Sequence, residues 1–411
     1  MKSNPTRRRV LQSVIASTAL ASTVFVDPKF AIAQSARSTF KQWVADFRPR
    51  ALARGVSEKT YDRVMAVTPD TSVYALDRAQ PEFREELWQY INRRVSDWRV
   101  IAGKEHAKEV APLLDRIEKD YGVDRYVMMG LWGNESAFGD PLVQKNFMRP
   151  VIPALAALAW GEPRRRTYWE KELLNALVII ERGWSNPEEM NGSWAGAMGH
   201  TQWMPEVWLN TGVDYDKDGR VSPFGKPDDA FAGTAQYLVK RGGYRRGEPW
   251  GYEVKAPGGI GEGGHRTYAA WQKLGVVRAD GHAYAAPNVS ARLWTPVPRG
   301  PSFLLSKNFD AVKSYNPSNS YALAVVLLGD RIGGAGPLVQ LFPGGERTPT
   351  FAEVQEIQRR LTEHGYDGGT PNGRIGRETI QAILAYQRKV KFDPVDGYAG
   401  LKLLARLRQG P

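Results

Sequence analysis

Residues 124–139 read Asp124-Arg-Tyr-Val-Met-Met-Gly-Leu-Trp-Gly-Asn-Glu135-Ser-Ala-Phe-Gly139. Asp124 has the short acceptor side chain that caps a helix N-terminus. Val127, Leu131 and Glu135 then step by four, which puts them on one helical face. A carboxylate thus continues an apolar stripe at the C-terminal end of a helix. Burial disfavours its charged form, and so does the negative end of the helix dipole, so the pKa of Glu135 is expected to rise. A carboxylic acid still protonated near neutral pH is what general-acid cleavage of a glycosidic bond requires. The same pattern also fits a solvated residue at a helix end. A glycosidase ordinarily pairs two carboxylates, and Asp140 is the one other acid between positions 124 and 162. It falls past the expected helix end.

The chain around this stretch has 411 residues, enough for two or three domains. Its 42% hydrophobic and 24% charged residues are those of a water-soluble globular protein that needs no staples. There are no cysteines, which excludes thiol nucleophiles, Cys-ligated zinc, iron–sulfur clusters, disulfides and a lipidated cysteine. No two of the five histidines are close enough in sequence for a local His-x-x-His metal site. The 13 Trp, 17 Tyr and 14 Phe are many for this length. Core packing accounts for most single tryptophans, and a ligand that stacks on aromatic faces would account for an excess.

Residues 10–26 are apolar and uncharged, follow Arg7-Arg8-Arg9, and lead to Ala31-Ile32-Ala33, a small-x-small cleavage pattern. Residues 1–33 are therefore read as a secretory signal peptide. The order Thr6-Arg7-Arg8-Arg9-Val10-Leu11-Gln12 is like the twin-arginine export motif. A periplasmic protein is expected, without an integral membrane span once the signal is removed. The signal holds five basic residues against Asp27, so the net charge of +12 falls to about +8 in the remainder. That balance favours polyanions. Export makes nucleic acid an unsuitable partner and the cell wall a suitable one.

The rest divides by composition. Residues 34–120 are polar and helical in pattern, with Trp43, Phe47, Leu87, Trp88, Ile91 and Trp98 recurring at helical spacing, and form an N-terminal helical domain. Residues 121–335 carry long apolar stripes, with a β-type, Gly/Pro-rich insertion at about 250–305 and a helical stretch at 318–332. Residues 336–350 read as a linker, since 333–350 hold five Gly and three Pro. Residues 351–411 form a three-helix module opened by the capping box Thr350-x-x-Glu353. Gly259-Ile-Gly261-Glu-Gly-Gly264 matches G-x-G-x-x-G, but Pro257 interrupts the approach and no second βαβ unit follows, so it is read as a flexible loop.

Leu131-Trp-Gly-Asn-Glu-Ser-Ala-Phe-Gly139, with Gly192-Ser-Trp-Ala-Gly-Ala-Met-Gly-His-Thr-Gln-Trp-Met-Pro205, resembles the signature blocks of the lytic murein transglycosylase B family, in a soluble, exported form. Asn308-Phe309 and Tyr315-Asn316-Pro-Ser-Asn-Ser-Tyr321-Ala322 are similar to that family's C-terminal active-site block. The resemblance spans about residues 37–335. The tail at 353–408 resembles a peptidoglycan-binding type 1 domain, with Asn372 and Arg377 where Asp and Pro are usual. The resemblance implies a mainly α fold: a lysozyme-like helical catalytic core with the β-rich insertion and a wall-binding module.

For the site, it implies Glu135 as the sole acid/base, with Ser193, Gln202, Tyr237, Tyr315, Asn316 and Tyr321 lining the substrate. Hydroxyls and amides suit sugar substituents, and aromatic faces suit pyranose rings. It further implies cleavage of the MurNAc–GlcNAc β-1,4 bond of peptidoglycan glycan strands without water. The muramyl 6-hydroxyl attacks its own C1 and leaves 1,6-anhydro-MurNAc ends, which explains how one carboxylate suffices. A hydrolytic muramidase on the same scaffold and a non-catalytic wall-binding protein are the alternatives. A monomer is expected.

Asp214-Tyr-Asp216-Lys-Asp218-Gly219 carries positions one, three, five and six of a calcium loop, and the carbonyl of Arg220 would serve at position seven. Position twelve is Gly225 rather than Glu. The resemblance places a later ligand at Asp229, with Asp228 as substitute. No cofactor is expected to be required, and any calcium to be weakly bound and structural.

Overall fold

The computed structural model describes residues 39–78, 85–140 and 148–410, so the export signal read over residues 1–33 lies outside the described residues. The chain divides into two compact units, Met1–Asp46 and Phe47–Pro411. Helix α1 (Phe40–Leu52) begins in the first, and every later described element belongs to the second.

Helices α2 (Glu58–Val64), α3 (Val73–Arg78), α4 (Leu87–Arg94), α5 (Asp97–Glu109) and α6 (Ala111–Tyr121) lead to α7 (Arg125–Ser136), which carries Glu135. Strand β1 (Arg149–Pro150), α8 (Val151–Gly161), α9 (Arg166–Glu181), β2 (Asn191–Gly192), α10 (Pro205–Thr211) and α11 (Asp228–Lys240) follow. The insertion holds β3 (Gly251–Lys255), β4 (Gly263–Thr267), α12 (Tyr268–Lys273), β5 (Val277–Arg278), β6 (Ser290–Trp294) and β7 (Ser302–Ser306). Helices α13 (Lys307–Tyr315) and α14 (Asn319–Ile332) complete the core, and α15 (Phe351–Glu363), α16 (Arg377–Lys389) and α17 (Leu401–Arg408) form the tail. None of the helices among the described residues is long and apolar enough to cross a membrane.

Local chemistry starts these helices. The Asp124 carboxylate accepts from the amides of Tyr126 and Val127 at 2.8 and 3.1 Å and caps α7. Ser318 caps α14 through the Tyr321 amide. Thr350 and Glu353 form the reciprocal capping box of α15 at 3.2 and 2.8 Å. The two core helices α7 and α14 then cross backbone to backbone. A Cβ on Gly130 would lie 2.1 Å from the Val325 carbonyl oxygen, and one on Gly329 would lie 2.3 Å from that of Tyr126. Only glycine permits this approach. Around the crossing Met128, Met129, Leu131, Leu323, Val325 and Val326 are all buried. Helix α8 is apolar nearly all round and is correspondingly buried nearly all round.

The insertion is an antiparallel sheet in the order β4-β6-β7-β3-β5, with Gly251 opposite Leu305 and Ala291 opposite Ser306. Its inward side packs Val254, Tyr268, Trp271, Leu293 and Leu304. The G-x-G-x-x-G stretch runs from the loop after β3 into the start of β4, and a Cβ on Gly259, Gly261, Gly263 or Gly264 would face open space. An antiparallel sheet supplies no βαβ unit, so the loop has no dinucleotide to cradle.

The tail closes on its own core of Ile357, Leu361, Ile383, Tyr386, Leu403 and Leu407. Residues 336–350, read as a linker, are bound to the sheet insertion and to α4. The Val339 and Gln340 amides donate to the Glu253 carboxylate at 2.8 and 2.9 Å, and the Gln340 side chain donates to the Arg299 carbonyl at 2.9 Å. Asn92 on α4 donates to the Glu346 carbonyl at 2.8 Å and accepts from Thr348 Oγ1 at 2.8 Å. The tail itself meets α4 and α5: Tyr398 lies edge-on to Trp88 at 4.8 Å, and the Phe351 amide donates to Asp97 at 2.8 Å.

Candidate active site

Glu135 ends the buried face of α7 as the Asp124 cap and the i, i+4 stripe require, and α14 brings Tyr321 to it. The Tyr321 hydroxyl donates to Glu135 Oε1. Burial pushes the Glu135 carboxyl up to about 7, while the Tyr321 hydroxyl and the Arg94 charge pull it back. Burial and the neighbouring Glu135 charge hold the Tyr321 phenol well above its ordinary range, so it stays a donor. Arg94, on α4, lies over the Tyr90 ring at 5.4 Å. Spacing places Arg94 and Tyr90 on one helical face, but nothing local marks that face as facing an acid 41 residues on.

Among the residues expected to line the site, three tyrosines converge. Tyr315 donates to the Thr201 carbonyl at 2.7 Å and meets the Tyr237 ring edge-on at 5.1 Å. Tyr237 donates to the Ser314 carbonyl at 2.8 Å. The Glu135 charge acts on both Tyr315 and Tyr321. Gln202 follows Thr201 with φ 55° and donates to the Gly199 carbonyl at 3.0 Å. Ser193 turns the chain at 193–197, with its Oγ accepting from the Ala197 amide at 3.1 Å. Asn316 is exposed at the end of α13. No hydrogen bond joins Ser193 or Asn316 to Glu135 among the described residues.

The second carboxylate is engaged elsewhere. Asp140 is paired with Arg374 of the tail, and the Arg374 guanidinium also stacks over Trp98 at 4.7 Å. Beyond Glu135 the backbone turns through three consecutive left-handed residues, with φ 52° at Ala137, 64° at Phe138 and 75° at Gly139. Two of these are not glycine, at a cost of about 1–3 kcal/mol each.

The acidic loop gathers Asp214, Asp216 and Asp229, whose carboxylate oxygens lie within 4.8 Å of one another. Asp229 is buried, which pushes its carboxyl up, and it accepts from the Tyr215 and Ser222 amides at 2.6 and 2.9 Å. Asp218 is exposed, accepts from the Arg220 amide at 2.9 Å and lies outside the converging trio. Three hard oxygen donors facing one point fit a divalent cation such as calcium.

Comparison with known proteins matches both the helical body and the tail. A family model described as a transglycosylase SLT domain matches residues 39–330, and one described as a putative peptidoglycan binding domain matches residues 352–407. Membrane-bound lytic murein transglycosylase B of Escherichia coli (strain K12) is 29% identical over an alignment of 238 residues that covers 53% of this chain and only 60% of that protein. SltB3 from Pseudomonas aeruginosa, solved in complex with NAG-anhNAM-pentapeptide, is 38% identical with a TM-score of 0.69, covering 90% of this chain and 100% of that one. The Escherichia coli lytic transglycosylase SLT35, solved in complex with calcium, shares the fold at 23% identity and a TM-score of 0.60, covering 71% of this chain and 92% of that one. With a family match over most of the chain and a second match over its tail, this chain belongs to the transglycosylase SLT domain family and carries a peptidoglycan-binding domain.

Proposed function

We propose that this chain is a lytic transglycosylase that cuts the MurNAc–GlcNAc β-1,4 bond of peptidoglycan without water, with Glu135 acting as acid and then as base. The observation that carries this reading is the half-buried Glu135 carboxyl, pushed up to about 7 and bonded to Tyr321 beside Tyr315. Glu172 and Asp330 are pushed up as far, but they are engaged away from the tyrosines, by the Glu206 amide and the Trp250 indole. Protonated Glu135 gives its proton to the leaving GlcNAc oxygen as the C1–O bond breaks. The muramyl 6-hydroxyl closes on C1, and its proton returns to the Glu135 carboxylate. Atoms balance with no water consumed, and the substrate supplies its own pre-positioned nucleophile. Asp140 is not needed, in keeping with its pairing to Arg374.

Tyr321 keeps the carboxylate oriented, and Tyr237, Tyr315, Gln202, Ser193 and Asn316 hold the sugars. The relative solved with an anhydromuramyl ligand supports the same product here. Peptidoglycan as substrate places the protein outside the cytoplasm, which accords with residues 1–33 acting as an export signal through the twin-arginine route. Mass analysis of digested sacculi is the test. The main products are expected to lack one water relative to hydrolytic fragments and to resist borohydride. Reducible ends as the main product would replace this reading with a muramidase.

Asp214, Asp216 and Asp229 would hold calcium in this proposal. A divalent ion there would offset most of the charge of the three converging carboxylates, a structural role. A ligand that binds only the folded chain stabilises it by mass action. Millimolar calcium is therefore expected to raise the melting temperature by a few degrees over the chelator-treated protein. Identical melting curves in calcium and chelator would reduce the loop to a plain turn.

A further inference from the structure

His200 joins the catalytic helix to the acidic loop, and none of the roles above uses it. Its Nδ1 receives the indole N–H of Trp132 at 3.0 Å, and its Nε2 lies 2.8 Å from the Gly225 carbonyl. An indole only donates and a carbonyl only accepts, so the ring is neutral with its proton on Nε2. Its backbone is bound on both sides as well. The His200 carbonyl accepts from Ser136 Oγ at 2.6 Å, and its amide donates to the Pro223 carbonyl at 2.9 Å. Ser136 Oγ in turn accepts from the Gly139 amide at 2.9 Å.

The imidazole also presses on the left-handed turn. A Cβ on Gly139 would lie 2.9 Å from both Nδ1 and Cε1 of His200. Trp132 and Ser136 flank Glu135 on α7, and the strained residues 137–139 follow it directly. A turn of that kind persists only where its surroundings over-determine it, and His200 contributes three such contacts, through Trp132, through Ser136 and by packing on Gly139.

We propose that His200 is a positioning residue for Glu135: it locks the turn that ends the catalytic helix and fastens it to the loop at 223–225. The chemistry it serves is the lytic reaction proposed above. Three variants separate its bonds. Phenylalanine keeps the ring and removes both side-chain hydrogen bonds. Asparagine carries an acceptor where Nδ1 stood, and glutamine carries a donor where Nε2 stood.

Steady-state kinetics on soluble glycan fragments, with melting curves for each variant, is the experiment. His200→Phe is expected to lower kcat about tenfold or more with KM little changed, and His200→Asn to stay within about threefold of wild type, because sub-ångström misplacement of an acid is costly while sugar contacts are untouched. His200→Gln is expected to group with His200→Phe. A folded His200→Phe enzyme with wild-type kcat would overturn the proposal, as would a loss confined to KM. Should His200→Phe fail to fold, the other pair decides: asparagine above glutamine supports the role, and equal rates overturn it. Wild type and Glu135→Gln run alongside keep the two readings apart. A wild type that leaves peptidoglycan intact refutes the lytic activity, whereas normal turnover with indifferent His200 variants refutes only the positioning role.

Discussion

Glu135→Gln is expected to lower peptidoglycan turnover by about 10²–10⁴-fold or more while binding to glycan strands survives. Glutamine keeps the shape of the side chain and can neither give nor take the proton. In the wild type, activity requires the protonated acid, so turnover should fall as pH rises through about 7. The same substitution has a signature in stability. In the unfolded chain the carboxyl titrates near 4.5, and in the folded chain near 7. Between those values the folded state holds the extra proton, so wild-type stability declines as pH rises through that window, by up to about 1.4 kcal/mol per pH unit. Glutamine has no proton to lose. The melting temperature of Glu135→Gln relative to wild type should therefore climb between pH 4.5 and 7 and level off above. An offset independent of pH would mean that Glu135 is solvated, and undiminished turnover would remove it from the chemistry.

Gly130→Ala is expected to be the most destabilising single methyl in the core. Its Cβ would meet the Val325 carbonyl oxygen at 2.1 Å, and a backbone atom cannot rotate aside as a side chain can. The two central helices would have to separate, costing about 3 kcal/mol. Urea unfolding measures this, with Gly258→Ala as the control: nothing lies within 4 Å of a Cβ there. The control should change stability by less than about 0.5 kcal/mol. Because Glu135 rides on the same helix as Gly130 and Tyr321 on the helix it touches, the separation also pulls the acid from its hydroxyl. Folded Gly130→Ala protein should accordingly lose kcat as well as stability. A stability loss no larger than the control's would show that the crossing has slack.

Those two positions mark what could and could not be read from the chain alone. The caps at Asp124 and Thr350 depend on a few neighbouring atoms, and each helix begins within a residue of where its cap predicts. The apolar stripe ending in Glu135 was legible for the same reason. Tyr321 lies 186 residues from Glu135, and its hydrogen bond follows from how α7 and α14 cross. No local pattern encodes a crossing. The left-handed turn at Ala137 and Phe138 runs against the preference of both residues, so propensity conceals it. In the acidic loop the spacing proposes Asp218, but the fold closes the trio with Asp229, which arrives from α11. Glycine and proline counts describe residues 336–350 as slack, yet Glu253 and Asn92 bind them.

That fastening determines how the molecule carries force. A tether free along its length would straighten before passing on a pull, and a module at its end could swing. Here the connecting segment is held at Glu253, Arg299 and Asn92, and the module beyond it bears on Trp88, Asp97 and Asp140. A load applied at the tail is therefore shared among several bonds at once, on α4, on α5 and at Asp140. Asp140, where one of those bonds ends, lies just past the turn that follows Glu135, so the route of the load runs beside the acid rather than around it.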